Sequence, residues 1–418
     1  MRADIDRAAV AGLGDETVDW RFKGLPPSWA GRTVAEVHAE RPRLLGDGPT
    51  GPVCVLRDDA LRHNLATMAG WCRRAGVALA PHGKTHMAPQ LFARQLDAGC
   101  CAITVATISQ LRVCRAFGVR DVILANQLVD RAGLRWLARE LDADPEFTCV
   151  CWVDSVRGVQ IMSAELAAAG AHRPVDVCVE VGMVDGRTGC RSSAEVDEVA
   201  RAAAASPLLR LAGVCGYEAA RGHDVAAEER DRVTAYLTDM RAAVQRLAGL
   251  FEADEILVTA GGSTYFDAVA EVLTGWPGAL AVRTVVRSGA YLTHDDGLYA
   301  RTSPLRRGTT APFRPALSVW AQVVSRPEPA LAVLTMGRRD VSFDQDLPVP
   351  YGLTGGRVTK LNDQHAYLRL SQADRARVEA GTWLEFGISH PCTVFDKWQL
   401  IPALDGDGRV VDLIRTFF

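Results

Sequence analysis

Eight short apolar runs, rich in β-branched residues, recur between residues 77 and 289. They are VALAPH (77–82), AITVAT (102–107), DVILAN (121–126), CVCWVD (149–154), VDVCVEVG (175–182), LAGVCGY (211–217), EILVTAGG (255–262) and VRTVVRSG (282–289). Each is continuous rather than alternating, the pattern of a parallel strand covered on both faces. The stretches between them, such as DEVARAAAASPLLR, are rich in Ala, Leu, Arg and Glu and favour helix. Eight β-then-α units over roughly 230 residues predict an α/β fold, a (β/α)8 TIM barrel over residues 51–290. A doubly wound open sheet is the alternative, but no Gly-rich fingerprint follows the first strand to support it.

Beyond residue 290 the texture changes. HAYLRL, GTWLEFGISH and VVDLIRTFF are short strand-like runs set off by Gly, Pro and Asp. Residues 291–418 therefore read as a mainly antiparallel β domain, and the weakly periodic residues 1–50 as a segment packed across it. A net charge of −3 gives no reason to expect nucleic acid or an anionic membrane surface as partner. No apolar run reaches the ~18–20 residues that cross a bilayer, and the first residues lack an apolar signal core. A cytoplasmic protein is expected. Eleven cysteines, an odd number without CxxC spacing, lie mostly in apolar contexts and read as reduced core thiols.

Residues with chemical capacity gather at the C-terminal ends of the eight runs, the working face of such a barrel. Lys84 follows the first run in PHGKTHMAP, flanked by His82 and His86. Burial lowers the pKa of an amine there and makes it a nucleophile toward carbonyls. Gly261, Gly262, Ser263 and Thr264, after the seventh run, would let backbone N–H groups approach an anion. Arg287, Gly289 and Tyr291 follow the eighth run, Arg187 the fifth, and Tyr217, Glu218 and His223 the sixth. Near the C-terminus, GISHPCTVFDKW places His390 and Cys392 two apart, so an extended strand would point both the same way. Imidazole and thiolate together suit Zn2+.

PHGKTHMAP after the first strand resembles the lysine motif of the fold-type III pyridoxal-phosphate enzymes. Within them the chain is most similar to the D-serine dehydratase and D-threonine aldolase branch, which joins an alanine-racemase-like barrel to a β domain. The resemblance runs over roughly residues 50–400 and implies that Lys84 carries pyridoxal 5'-phosphate and removes the Cα proton, with His82 beside it. By the same likeness Gly261–Thr264 and Tyr291 grip the phosphate, and Gly289 lets the cofactor ring come close. Arg287 would face the pyridine nitrogen and Arg187 the phenolic oxygen, while Tyr217 either contacts the ring or packs at the rim. An arginine at the pyridine nitrogen weakens the ring as an electron sink, which makes a second electrophile useful. His390 and Cys392 match the branch's metal position in its dehydratase form, which favours zinc over manganese because a thiolate is the softer ligand.

The resemblance implies a lyase, D-serine ammonia-lyase-like, that eliminates water from a β-hydroxy-D-amino acid to give an α-keto acid and ammonia. Aldol cleavage of such substrates to glycine and an aldehyde is the rival. A racemase and a non-catalytic cofactor carrier stand further off. A homodimer is expected. Arg338, Arg339 and Asp340, between Leu334 and Pro350, either reach the substrate or a partner subunit or form a solvated charge run.

Overall fold

The computed structural model describes residues 4–278, 280–307 and 312–418. The chain lays down β1 (Val53–Arg57) and then crosses to the barrel through the helix Asp58–Ala75. The barrel strands are β2 (Ala78–Leu79), β3 (Ile103–Val105), β4 (Asp121–Gln127), β5 (Thr148–Val153), β6 (Val175–Val181), β7 (Leu209–Gly216), β8 (Ile256–Ala260) and β9 (Val282–Val286). Their order is β2-β9-β8-β7-β6-β5-β4-β3, every neighbour parallel. The ends of that order are tied by the N–H of Cys101 to the Leu79 carbonyl at 2.8 Å and that of Thr104 to Pro81 at 2.9 Å, which closes the ring. These are the eight runs read in the sequence.

Inside the ring pack Ala80, Ile123, Val150, Trp152, Cys178, Cys215, Leu257 and Val285. The outer faces of the same strands meet the helices, so both sides are apolar and the runs cannot alternate. Helix starts carry their own local signals. Before the helix Ser193–Ala204, the Ser192 hydroxyl accepts the Glu195 N–H and the Glu195 carboxylate accepts that of Ser192.

The second sheet contains β1 with β10 (Leu317–Glu328), β11 (Leu331–Leu334), β12 (Val349–Pro350), β13 (Arg357–Leu361), β14 (Ala366–Arg369), β15 (Trp383–Gly387), β16 (Leu400–Leu404) and β17 (Val410–Arg415). Its order is β13-β14-β11-β10-β1-β16-β17, with β15 also on β10 and β12 on β15. Only β1 and β16 run parallel. Of the N-terminal segment, Val18, Phe22, Leu25, Trp29, Val34, Val37 and Leu44 pack on Val53, Val55, Leu400, Val410 and Leu413 of this sheet. Among the described residues no helix is long and apolar enough to cross a membrane.

Asp340, one of the three charged residues singled out between Leu334 and Pro350, is an anchor. It is 2% exposed and accepts from Lys23 Nζ at 2.8 Å and from the Gly337 N–H at 2.9 Å. Lys23 also lies over the Trp398 ring at 4.0 Å, so this loop is clamped between the N-terminal segment and the turn that comes after Cys392.

Gly213 tests how tightly the barrel strands pack, because a Cβ there would lie 1.8 Å from the Leu257 carbonyl oxygen of β8. Gly213→Ala should cost at least ~3 kcal/mol, since backbone rather than a mobile side chain must give way. Chemical denaturation reads this directly, and an unshifted midpoint would contradict the packing described.

Candidate active site

Side chains alternate along a strand, so a residue two places beyond a barrel-filling one emerges above it. Ala80, Cys215 and Val285 fill the barrel, and His82, Tyr217 and Arg287 follow each of them by two. All three open into a cavity of about 150 Å3 that Lys84, Arg187, Ser263 and Gly289 also line. From the β domain His390 and Cys392 complete its wall.

Lys84 sits in a tight turn, Gly83–Thr85, directly after β2. Burial lowers its pKa, and the nearby cations Arg187 and Arg287 act in the same sense, against the opposing pull of Cys392. Arg287 is buried, its two amino nitrogens donating to Thr259 Oγ1 and the Gly216 carbonyl at 2.7 Å each. Its Nε has no partner, and neither has His82 Nδ1, although both atoms are buried. The Arg187 guanidinium lies over the Tyr217 ring at 4.4 Å, and burial pushes the Tyr217 hydroxyl up to about 12. At Gly289 a Cβ would meet the His82 carbonyl at 2.6 Å, so only glycine lets the exit of β9 pass the lysine turn this closely.

The strand expected for His390 and Cys392 is not there. His390 takes a left-handed conformation, φ +58°, and Cys392 opens the short helix Cys392–Phe395. The turn nevertheless brings both imidazole and thiol to the cavity wall. Asp344 holds His390 Nδ1, and Cys392 Sγ lies 3.4 Å from Thr85 Oγ1, next to Lys84. Burial disfavours a charged His390, but Cys392 and Asp344 outweigh it and raise its pKa to about 9. Of the eleven cysteines ten are buried; Cys392 alone is partly open.

Three expectations need correction. The N–H groups of Gly261 and Gly262 do not face open space, because the Glu218 carboxylate accepts them at 2.9 and 2.6 Å. Glu218 is buried at the exit of the neighbouring strand, where those two donors satisfy its charge. Thr264 lies one step back, its hydroxyl bonded to His223 Nδ1 at 2.8 Å. Tyr291 is outside the cavity, buried with its hydroxyl on Gln95. Beside Tyr217, the second tyrosine that lines the cavity is Tyr299, and His223 lies edge-on to it at 6.1 Å. Nothing in the local sequence separates Tyr299 from Tyr291, and Asp344 stands far from His390 in the chain.

His86 is a core residue. Its Nδ1 accepts the Ala88 N–H and its Nε2 meets Gln95 Oε1, both at 3.2 Å, between the rings of Phe92 and Phe395.

Residues 56–295 match the family model "Alanine racemase, N-terminal domain", more than half of the chain. The chain belongs to that family. It is thus a member of the fold-type III pyridoxal-phosphate enzymes. Residues 316–404 match "Putative serine dehydratase domain". The chain is 29% identical to a D-threonine aldolase of Arthrobacter sp over 393 residues, 93% of this chain and 94% of the relative. It is 27% identical to a 3-hydroxy-D-aspartate aldolase of Paracoccus denitrificans over 319 residues, 75% and 79% of the two chains. The crystal structure of D-threonine aldolase from Filomicrobium marinum superposes with a TM-score of 0.75 at 26% identity, covering 89% of this chain and 96% of that one.

The family's cofactor fits the residues present. Two buried nitrogens without partners, Arg287 Nε and His82 Nδ1, lie in the cavity beside a lysine whose pKa is lowered. A metal also fits the donors at His390 and Cys392. A metal-bound histidine ordinarily gives its second nitrogen to a carboxylate, and Asp344 occupies that place. Among the described residues no third His, Cys, Asp or Glu joins the pair, so water and substrate would fill the other positions.

His86 has a consequence for acid stability. Burial lowers its pKa to about 3 in the fold against 6.5 outside it, so the unfolded chain binds the proton first. Stability falls as pH drops below 6.5, by up to about 1.4 kcal/mol per pH unit. His86→Asn should show a shallower fall in Tm between pH 6.5 and 4. Asp296, raised to about 6 by burial, has the opposite sign, so the difference between the two proteins isolates His86. Parallel Tm–pH curves would refute its neutral burial.

Proposed function

We propose that the protein is a pyridoxal-phosphate- and zinc-dependent lyase that removes the β-hydroxyl of a β-hydroxy-D-amino acid such as D-serine, yielding an α-keto acid and ammonia. The observation that carries this reading is the turn holding His390 and Cys392 beside the Lys84 turn, with Cys392 Sγ 3.4 Å from Thr85 Oγ1. An electrophile held there would stand beside Lys84 in the same cavity and would be available to the β-oxygen of a substrate. When bound, the cofactor supplies an electron sink at Cα and zinc a Lewis acid at the β-oxygen.

The chain's own residues do the rest. Lys84, shifted toward its neutral form by burial, takes the Cα proton at Nζ. Arg287, fixed by Thr259 and Gly216, has its unpartnered Nε free to donate and would meet the ring nitrogen of the cofactor. His390 Nε2 and Cys392 Sγ would hold the metal, while Asp344 keeps the other imidazole nitrogen oriented. Water leaves at the β-carbon and is regained when the released enamine hydrolyses to keto acid and ammonia.

A second reading has its own observation. Burial lowers the pKa of His223, so a neutral imidazole lines the same cavity and can accept a proton from a β-hydroxyl. That is what aldol cleavage requires, and the Arthrobacter and Paracoccus relatives are aldolases. The two readings part at the products. Purified protein with pyridoxal phosphate and zinc should convert D-serine or D-threonine to keto acid and ammonia; glycine with an aldehyde would establish cleavage instead. Lys84→Ala should lose the visible absorbance of lysine-bound cofactor, and an unchanged spectrum would refute the lysine's role. The reading includes a homodimer in solution, which light scattering of the holoenzyme checks.

A further inference from the structure

The barrel and the β domain meet along a seam between residues 295–300 and 387–390. At its centre lies Asp295, 1% exposed. Its Oδ1 accepts the N–H groups of Gly297 at 3.1 Å, Tyr299 at 2.8 Å and Ala300 at 3.0 Å. Its Oδ2 accepts the N–H of His390 at 2.9 Å. Backbone and hydroxyl contacts flank it: Asp296 N–H to the Ile388 carbonyl at 2.8 Å, and Leu298 N–H to Ser389 Oγ at 3.1 Å.

Four donors converge on one buried group, which therefore has to accept at both oxygens. An ionised carboxylate does so, whereas an amide of the same shape must turn N–H groups toward one side or the other. Three of the donors belong to the turn that sets Tyr299 in the cavity wall. The fourth belongs to His390, whose φ of +58° lies in the left-handed region that a non-glycine residue keeps only where its surroundings hold it there.

We propose that Asp295 is a positioning residue that holds His390 in its left-handed turn, and so fixes the His390–Cys392 donor pair opposite Lys84. It touches neither substrate nor metal. It acts through the backbone of His390, from the barrel side of the seam, and sets Tyr299 by the same carboxylate. The inference rests on the reading that His390 and Cys392 hold the metal. A purely structural role is the competing account, in which Asp295 only caps the short helix Leu298–Thr302.

Zinc affinity of the cofactor-loaded protein separates the two accounts. It is measured by competition with a chromophoric chelator, at a temperature where circular dichroism shows every variant folded. Asp295→Asn should bind zinc about tenfold more weakly or worse, with lysine-bound cofactor absorbance unchanged. Asp296→Asn is the control, since that carboxylate accepts from Tyr351 Oη at 2.7 Å and not from His390; its zinc affinity should match wild type. Lower Tm with wild-type zinc affinity in Asp295→Asn would overturn the proposal in favour of capping. Equal losses in both variants would overturn it as a general loosening of the seam. If Asp295→Asn yields no folded protein, Asp295→Glu, which keeps the charge but displaces it by one methylene, carries the same expectation. A wild-type protein whose zinc binding survives both His390→Ala and Cys392→Ser would instead remove the metal reading itself, and this proposal with it.

Discussion

The site depends on the docking of the β domain against the turn and helix that come after β2. Arg94, in the helix Pro89–Asp97, pairs with Asp58 and with Asp412 of β17, both at 2.7 Å. Gln90 donates to the Leu413 carbonyl at 3.0 Å, and the Phe417 N–H to the carbonyl of Met87 at 2.9 Å. A charge shared between two carboxylates, backed by backbone bonds, fixes orientation better than an isolated exposed pair. The same domain brings His390 and Cys392 to the cavity wall beside Lys84. Without it the amine would face water and the desolvation that lowers its pKa would vanish.

The cavity also concentrates charge. Lys84, Arg187 and Arg287 point into one small space, and in low dielectric like charges raise one another's cost. Three local devices keep the arrangement tolerable. The Arg187 guanidinium lies over the Tyr217 ring, Arg287 is held by a hydroxyl and a carbonyl, and the Cys392 thiol faces the lysine. An anionic cofactor phosphate and a substrate carboxylate complement what remains. The neutral histidines belong to the same logic: burial pushes His82 well below its usual value, so it adds no further cation.

The barrel was legible in the sequence because its strands are apolar on both faces, a property of each strand alone. His82, Tyr217 and Arg287 were legible for a related reason, since the two-residue period places them above the core residues that precede them, and Lys84 follows in the turn that leaves the first barrel strand. Other features depend on neighbours distant in the chain. The His390–Cys392 spacing read naturally as a strand, but a left-handed residue is set by Asp295, nearly a hundred positions away. Tyr291 and Tyr299 lie on two successive short helices after β9, and only the second lines the cavity. The Gly261–Gly262 pair looked free for an anion because nothing local indicates that Glu218 occupies its N–H groups.

These differences fall along one line. Parts that hold and activate a cofactor sit at the ends of barrel strands, where short-range alternation positions them. The other lining groups, His223, Tyr299, His390 and Cys392, sit on turns outside the strands, and the buried carboxylate of Asp295 bonds the turns of Tyr299 and His390. A scaffold so divided can keep one deprotonation step and change what happens to the β-oxygen. A softer metal ligand favours a zinc ion that pulls oxygen away, and a neutral imidazole favours taking its proton. In this chain both groups reach the same cavity, so the outcome turns on which of them lies nearer the β-oxygen of the bound substrate. The place of His390 in that cavity is set by the seam around Asp295, on the side of the site where local sequence carries least information.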